Sequence, residues 1–544
     1  MKRRLVRSTA AALGITTICC LWIVGPLVVP SHNTIYHWSG AASALFIPSL
    51  LEFICVWFVF ACLLFWAEGA RREAITVWAG IALFLPWAAL KSVALLVSWE
   101  PPQWISPSLF GLCTISFLLF CACSRLVHRA ALERLRKITI DVLCIVAISG
   151  AVMLVQLAWF GWQARGLNAP LPLHQTTNST AQTKVSRPRI IWILLDELSY
   201  QQVYGHRFHS LNLPAFDRLA KQSAVFTSVA PAGIMTEIVM PSLITGLPVD
   251  KIQPSSNGVG LKIHNPVTRQ WRAFDQHDTI FSDALIAGYS TAIAGWYNPY
   301  CRILPEVLDN CFWIFGQPAA NKMLPRASIA RNIINPLLLS STIMDHLPSA
   351  ITFGNHTEDL VAKMHISDYQ QISDLADQLL QKAAFDFILI HMAVPHPGGI
   401  YNRTTHTLTT RNATYIDNLA LADSYLAHVR SLLEAEGQWD ASAIVIMGDH
   451  SWRTELLWAT KADWTPEEQE ATNGGQFDDR PACIVKLPKQ NVGSTIKTPF
   501  AAVDTRRLFD AIMTKRIVSP EDLSFWVEMQ DHKRSQNSIP SSRK

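Results

Sequence analysis

Five apolar segments, each long enough to cross a bilayer, fill the first 162 residues and leave that third of the chain few folds to choose from. They run from Ala10 to Val29, Ala42 to Trp66, Ile75 to Val97, Pro107 to Cys123 and Ile140 to Phe160, and one span takes ~20 residues. The whole chain is 50% hydrophobic and only 16% charged, too apolar for an ordinary soluble protein. Because the excess stops near Trp162, the economical reading is a transmembrane helix bundle followed by a water-soluble domain.

Lysine and arginine placement sets an expected orientation. Lys2, Arg3, Arg4 and Arg7 precede the first segment, Arg71 and Arg72 lie in the second connection, and Arg125, Arg129, Arg134, Arg136 and Lys137 lie in the fourth. Ser31 to Gly40 and Ser98 to Ser106 carry neither residue type. Positive loops stay cytoplasmic, so the amino terminus is expected inside and everything after Trp162 outside, in a multi-pass protein of a bacterial inner or plasma membrane. The first segment is long for the apolar part of a signal peptide and is read as an anchor. A net charge of +4 is too small to indicate nucleic acid as a partner.

Residues 163–189 are rich in Pro, Thr, Ser, Asn and Gln and read as a linker. From 190 to about 530 the pattern is α/β. The apolar runs Ile190 to Leu195, Phe385 to Ile390 and Ala443 to Met447 alternate with amphipathic stretches at Pro214 to Gln222, Asp374 to Ala383 and Ile416 to Glu434. Short buried strands between longer helices predict a mostly parallel sheet flanked by helices. The polar stretch 531–544 is expected to be disordered. Cys301 and Cys311 bracket a nine-residue loop, and outside the cytoplasm two cysteines this close are expected to form a disulfide.

Two of the strands end in chemistry. The first runs into Asp196 and Glu197, and the third into Gly448, Asp449 and His450. Open α/β sheets build their sites beyond the carboxyl ends of parallel strands, so these groups converge. Between them in sequence, Met235 to Gly246 reads as the start of a helix, with Thr236 at its head. A threonine hydroxyl becomes a useful nucleophile when a base or a metal lowers its pKa and aims it; otherwise it is a helix cap. Asp196, Asp449 and His450 are the expected ligands of one divalent ion. Glu197 is either a further ligand or an orienting group. A mixed oxygen and nitrogen set suits Zn²⁺ or Mn²⁺, with Ca²⁺ or Mg²⁺ as alternatives.

With these residues in place, the soluble domain resembles the sulfatase-like branch of the alkaline phosphatase superfamily. The resemblance rests on the strand ending at Asp196 and Glu197, on Leu213 to Ala220 followed by Ala224 to Val229, on Ser242 to Gly246, on Gly448-Asp449-His450 and on Arg480 to Pro488. Sulfatases carry a Cys or Ser, converted to formylglycine, where this chain has Thr236. An unmodified threonine after a five-span bundle is similar to the membrane phosphoethanolamine transferases and lipoteichoic acid synthases. The resemblance implies that Thr236 is both nucleophile and metal ligand. His396, in the segment Pro395-His396-Pro397, is implied to bind substrate or protonate the leaving group, which suits an imidazole of ordinary pKa near 6.5. His391 and Arg453 are further candidates for substrate binding, Arg453 as a bidentate oxyanion clamp. No histidine lies between His450 and His532, so a further histidine of that family has no counterpart.

The expected function is therefore transfer or hydrolysis of a phosphoryl-linked or sulfuryl group through Thr236, on an envelope lipid or glycan substrate. Two rivals stay open: a membrane-anchored sulfatase or phosphodiesterase acting on a soluble ester, and a degenerate domain kept for envelope assembly or binding. Membrane lipids are the expected surroundings in either case.

Overall fold

The computed structural model describes residues 2–28, 34–67, 71–97, 99, 111–116, 129–168, 173–174, 187–255, 258–319, 322–339, 357–382, 384–454 and 464–538. The chain divides into two compact units. One is Met1–Leu167 with Ser256–Gly258 and Pro318–His356; the other is Asn168–Ser255, Val259–Gln317 and Thr357–Lys544.

The first unit contains α1 (Lys2–Val28), α2 (Ser43–Ala67), α3 (Arg71–Leu96) and α4 (Arg129–Gln163). Among the described residues these four are long and apolar enough to cross a membrane. The span expected from Pro107 to Cys123 lies outside the described residues except for 111–116, which are helical. Most of the expected linker, 163–189, also lies outside them. Helix α1 is the most enclosed of the four, with 72% of its apolar window buried against 22% for each of the others. Small residues let it pack so tightly: a Cβ on Gly14 would lie 2.0 Å from the Leu143 carbonyl oxygen of α4. Phe58, Phe65, Ile145 and Val155 are large apolar side chains exposed on these helices.

In the second unit an eight-stranded sheet is assembled from β1 (Ile190–Leu195), β2 (Ala224–Phe226), β3 (Thr291–Trp296), β4 (Asn310–Ile314), β5 (Phe387–Met392), β6 (Ala443–Gly448), β7 (Cys483–Lys486) and β8 (Ser494–Ile496). Their order across the sheet is β8-β2-β7-β6-β1-β5-β3-β4. All neighbours are parallel except β7, which runs against both β6 and β2. Every residue of β1, β3, β5 and β6 is buried, which explains why β1, β5 and β6 read as apolar runs rather than alternating ones.

Helices cover both faces. Ile191, Ile193 and Leu195 join the core formed with α5 (Pro214–Ala220), α8 (Thr357–Gln381) and α9 (Tyr415–Ala435). On the other face Trp192 meets Phe509 of α10 (Thr505–Met513) at 5.1 Å between ring centres, and Phe387 meets Phe281 of α7 (Ile280–Ile286) at 5.6 Å. Truncating a fully buried residue such as Ile193 to alanine would cost ~2–5 kcal/mol.

The boundaries differ from expectation in three places. Strand β5 starts at Phe387 and runs to Met392, so His391 is inside the strand rather than just past it. Helix α8 begins at Thr357, well before the expected Asp374. The terminal helix α11 (Pro520–Ser538) occupies much of the stretch expected to be disordered. Its start is capped by the Ser519 and Asp522 pair, and Arg534 pairs with Asp504 and donates to the Pro499 carbonyl at 2.7 Å. A disulfide joins Cys301 to Cys311 across a Cα separation of 5.5 Å.

Candidate active site

In-register pairing sets Leu195 beside Gly448 on one side and Met392 on the other. The residues that follow Leu195 and Gly448 therefore leave the sheet together, and Asp196, Glu197, Asp449 and His450 form one buried group. Helix α6 (Thr236–Thr245) brings Thr236 to them as its first residue. Met235 is the N-cap, with extended backbone and no side-chain cap bond, so the Thr236 hydroxyl is free of capping. It donates to Asp449 Oδ2 at 2.7 Å and lies 3.3 Å from His450 Nε2. His450 Nδ1 donates to the Ser451 carbonyl at 3.0 Å, which leaves the Nε2 lone pair facing the threonine.

Asp196 has zero exposure, and neither of its carboxylate oxygens has a hydrogen-bond partner among the described residues. Burial, and then the neighbouring Asp449 and Glu197, push its pKa well above the usual carboxylate range. An ionised carboxylate cannot stay buried unpaired, and a bound cation would supply the missing partner. The donor set fits one: single donor atoms of Asp196, Asp449 and His450 lie within 4.8 Å of one another, as do those of Asp196, Glu197 and His396. Asp449 behaves oppositely to Asp196. Burial raises it too, but His450, His391, the Glu197 amide and the Thr236 hydroxyl together hold it below its ordinary value.

Glu197 adopts a left-handed backbone with φ of 63°, a conformation a non-glycine residue holds only when its surroundings fix it. Its amide donates to Asp449 Oδ1 at 2.9 Å, and the Tyr415 hydroxyl donates to its carbonyl at 2.7 Å. Its carboxylate accepts the Arg453 amide at 3.2 Å and Nε at 3.0 Å, with Nη2 also bonded. Arg453 Nη1 reaches the Ile234 carbonyl at 3.3 Å. Arg453 thus lines the site while most of its donors are committed to protein oxygens, which leaves the expected oxyanion clamp only partly available.

The two histidines of the second strand-end segment separate. His391, expected to touch substrate, is fully buried; its Nδ1 pairs with the Tyr300 hydroxyl at 2.7 Å and its Nε2 lies 3.9 Å from Asp196 Oδ2. Strand placement turns it toward the acidic cluster instead of the cavity. His396 reaches the cavity with its side chain 21% exposed, its Nδ1 donating to the Pro397 carbonyl at 2.7 Å and its Nε2 3.7 Å from Glu197 Oε1. Burial, and then the Arg453 charge, push its pKa down to about 3. That environment favours the neutral ring over the imidazolium.

These groups open onto a cavity of about 130 Å³ lined by Thr236, His396, Arg453 and the aromatic residues Trp296, Tyr297 and Phe315. His365, on α8, stacks on Trp296 at 5.7 Å and spans both ends of the segment bearing His396, with Nε2 2.6 Å from the Ala393 carbonyl and Nδ1 3.2 Å from that of Gly398. Trp296, Tyr300, His365 and Tyr415 carry no motif. A polar histidine at a buried helix position was the only signal for His365.

No curated protein matches the chain. A family model described as Sulfatase matches residues 188–480. Among solved structures the chain is similar to the phosphonate monoester hydrolase of Agrobacterium radiobacter, at 14% identity over 60% of this chain and 74% of that one, with a TM-score of 0.36. It is similar to a sulfatase from Pseudoalteromonas sp. at 14% identity over 60% and 67%, TM-score 0.39. A Vibrio parahaemolyticus protein of the alkaline phosphatase superfamily matches at 14% identity over 62% and 72%, TM-score 0.35.

Proposed function

The chain belongs to the sulfatase family, and on that premise we propose that it is a membrane-anchored enzyme that transfers or hydrolyses a phosphoryl-linked group through Thr236. The observation that carries the reading is the Thr236 hydroxyl donating to Asp449 Oδ2 at 2.7 Å beside the unpartnered Asp196 carboxylate. Asp449 accepts the hydroxyl proton and leaves an oxygen lone pair directed into the cavity. The head of α6 adds the positive end of a helix to the space an anionic group would enter, and Arg453 adds a charge already oriented by Glu197.

Asp196, Asp449 and His450 would hold the divalent ion, with Thr236 and Glu197 beside them. Such an ion supplies Lewis-acid charge that lowers the hydroxyl pKa and neutralises charge on the transferred group. His396, whose Nδ1 donates to the Pro397 carbonyl, lines the cavity and would bind the substrate or protonate its leaving group. Threonine cannot become the aldehyde hydrate from which sulfatases eliminate sulfate. A group carried on Thr236 therefore leaves only by a second displacement, which suits phosphorus better than sulfur.

Four helices of membrane-spanning character in the same chain favour a lipid-linked donor over a soluble ester. The disulfide between Cys301 and Cys311 and the basic connections of the first third favour an extracytoplasmic catalytic domain. The experiment is intact mass and metal content of the wild type and of Thr236→Ala after incubation with envelope lipids. One covalent adduct per chain, absent from the variant while metal is retained in both, supports the reading, and its mass names the group carried. Wild type without adduct or metal would move the binding-protein alternative to first place.

A further inference from the structure

Tyr300 occupies a place in the sheet that a glycine leaves open. Gly295 on β3 pairs in register with His391 on β5, and paired residues of a parallel ladder face the same side of the sheet. A Cβ on Gly295 would lie 2.4 Å from Tyr300 Cδ2 and 2.6 Å from Cε2, so the Tyr300 ring fills the space that a side chain there would take. The residue has zero exposure, and its hydroxyl ends 2.7 Å from His391 Nδ1. Cys301, the next residue, is joined by the disulfide to Cys311 on β4, which ties Tyr300 to the sheet from its other side.

The opposite edge of the imidazole faces the acidic cluster. His391 Nε2 lies 3.9 Å from Asp196 Oδ2, and neither this nitrogen nor either Asp196 oxygen has a hydrogen-bond partner among the described residues. At 3.9 Å the two act on each other through charge rather than through a formed hydrogen bond. Burial favours the neutral ring, which carries its single proton on one nitrogen or the other. A lone pair at Nε2 would confront carboxylate oxygens, which are acceptors themselves; a proton there offers them a donor. The Tyr300 hydroxyl can donate or accept, and by donating to Nδ1 it fixes the second arrangement.

Groups behind a metal-ligating carboxylate orient it and tune the affinity of the site. We propose that Tyr300 is a positioning residue of the metal site: its hydroxyl donates to His391 Nδ1, keeps the ring proton on Nε2, and so aims an N–H at the Asp196 carboxylate that would hold the ion. The inference rests on the divalent-ion site of the proposed function, and not on which group Thr236 carries. It also gives Gly295 a reason to be glycine, since any side chain there would displace the Tyr300 ring.

The test is the Zn²⁺ affinity of the full chain in detergent, read by competition with a chelator, for wild type, Tyr300→Phe, His391→Met and the double variant. Phenylalanine removes only the hydroxyl, and methionine adapts to a buried site while removing the ring nitrogens. His391→Met is expected to weaken Zn²⁺ binding by about 10- to 100-fold and Tyr300→Phe by about tenfold. Adding Tyr300→Phe to His391→Met should cost nothing further, because residues acting through one chain of hydrogen bonds are not additive. The visible spectrum of the Co²⁺-loaded protein should also shift in Tyr300→Phe, a readout of ligand geometry that loosened packing away from the ion would not move. Zn²⁺ affinity and Co²⁺ spectrum alike in wild type and Tyr300→Phe would overturn the inference alone, and so would an undiminished Tyr300→Phe effect in the His391→Met background. Wild type that binds no Zn²⁺ would overturn it together with the metal reading. Should His391→Met not fold, Tyr300→Phe beside wild type still decides.

Discussion

Thr236 Oγ1 lies 2.7 Å from Asp449 Oδ2, and Met235 rather than Thr236 serves as the helix cap. The hydroxyl therefore has no capping duty to lose, only its bond to Asp449. Thr236→Ala is expected to lower turnover by about 10³-fold or more with little change in thermal stability, the pattern of a lost nucleophile. Thr236→Ser keeps the oxygen and is expected to retain the covalent adduct. Steady-state rates on a lipid-linked donor, with intact mass, check both; an alanine variant that still forms the adduct would remove Thr236 from the chemistry.

Asp196, buried with both oxygens unpartnered, predicts a change of sign. In metal-free protein Asp196→Asn removes a group whose charge burial opposes, so the apo variant is expected to be at least as stable as apo wild type. Adding Zn²⁺ or Mn²⁺ at about 100 times Kd should stabilise the wild type by ~2.7 kcal/mol and the variant far less. Unfolding scans with and without metal read both effects. Equal metal stabilisation in the two proteins would argue against Asp196 as a ligand.

Arg453 and Glu197 form a buried pair, the arginine side chain 7% and the glutamate 0% exposed. Removing one partner of such a pair strands the other. Arg453→Ala is expected to destabilise the fold by ~3–5 kcal/mol, and Glu197→Gln, which strands the Arg453 charge, by less, because the amide oxygen still accepts from the guanidinium. Arg453→Lys should recover only part of the loss, since lysine lacks the fork that engages Glu197 through Nε and Nη2. Denaturation midpoints of the three variants give the order, and a full recovery by lysine would mean that only the charge matters.

How much of this was legible in the sequence depended on whether a residue's role was local. Asp196, Asp449 and His450 stand directly after buried apolar strands, so position along the chain gave their position in space. Thr236 was legible because its helix start recurs in a recognisable pattern. His391 read from the sequence as either a substrate contact or a buried histidine, and what decides its place is that the strand runs on through it to Met392. Glu197 and Arg453 lie 256 residues apart, and no local pattern reveals that they pair. The aromatic wall of Trp296, Tyr297 and Phe315 comes from two neighbouring strand ends, a juxtaposition that only the sheet order creates.

His365 supplies a pH prediction. Burial, then the nearby His396, push its pKa from 6.5 down to about 4, while its ring nitrogens lie 2.6 Å from the Ala393 carbonyl and 3.2 Å from the Gly398 carbonyl, at the two ends of the His396 segment, so that the neutral ring donates to one of them. A lowered folded-state pKa means the folded protein binds fewer protons than the unfolded chain between pH 6.5 and 4. The stability it contributes is complete above 6.5 and is lost as pH falls toward 4, to a total of roughly 3 kcal/mol at 1.36 kcal/mol per unit. His365→Gln should flatten the stability curve across that window. The slope that remains belongs to groups such as His391, which burial also pushes down to about 4. The same variant loosens the segment, so kcat should fall by about tenfold with KM little changed, as for a positioning residue that acts through His396. Thermal midpoints from pH 4 to 8, with rates at pH 7.5, check both expectations. An unchanged slope together with unchanged kcat would make His365 a packing residue and nothing more.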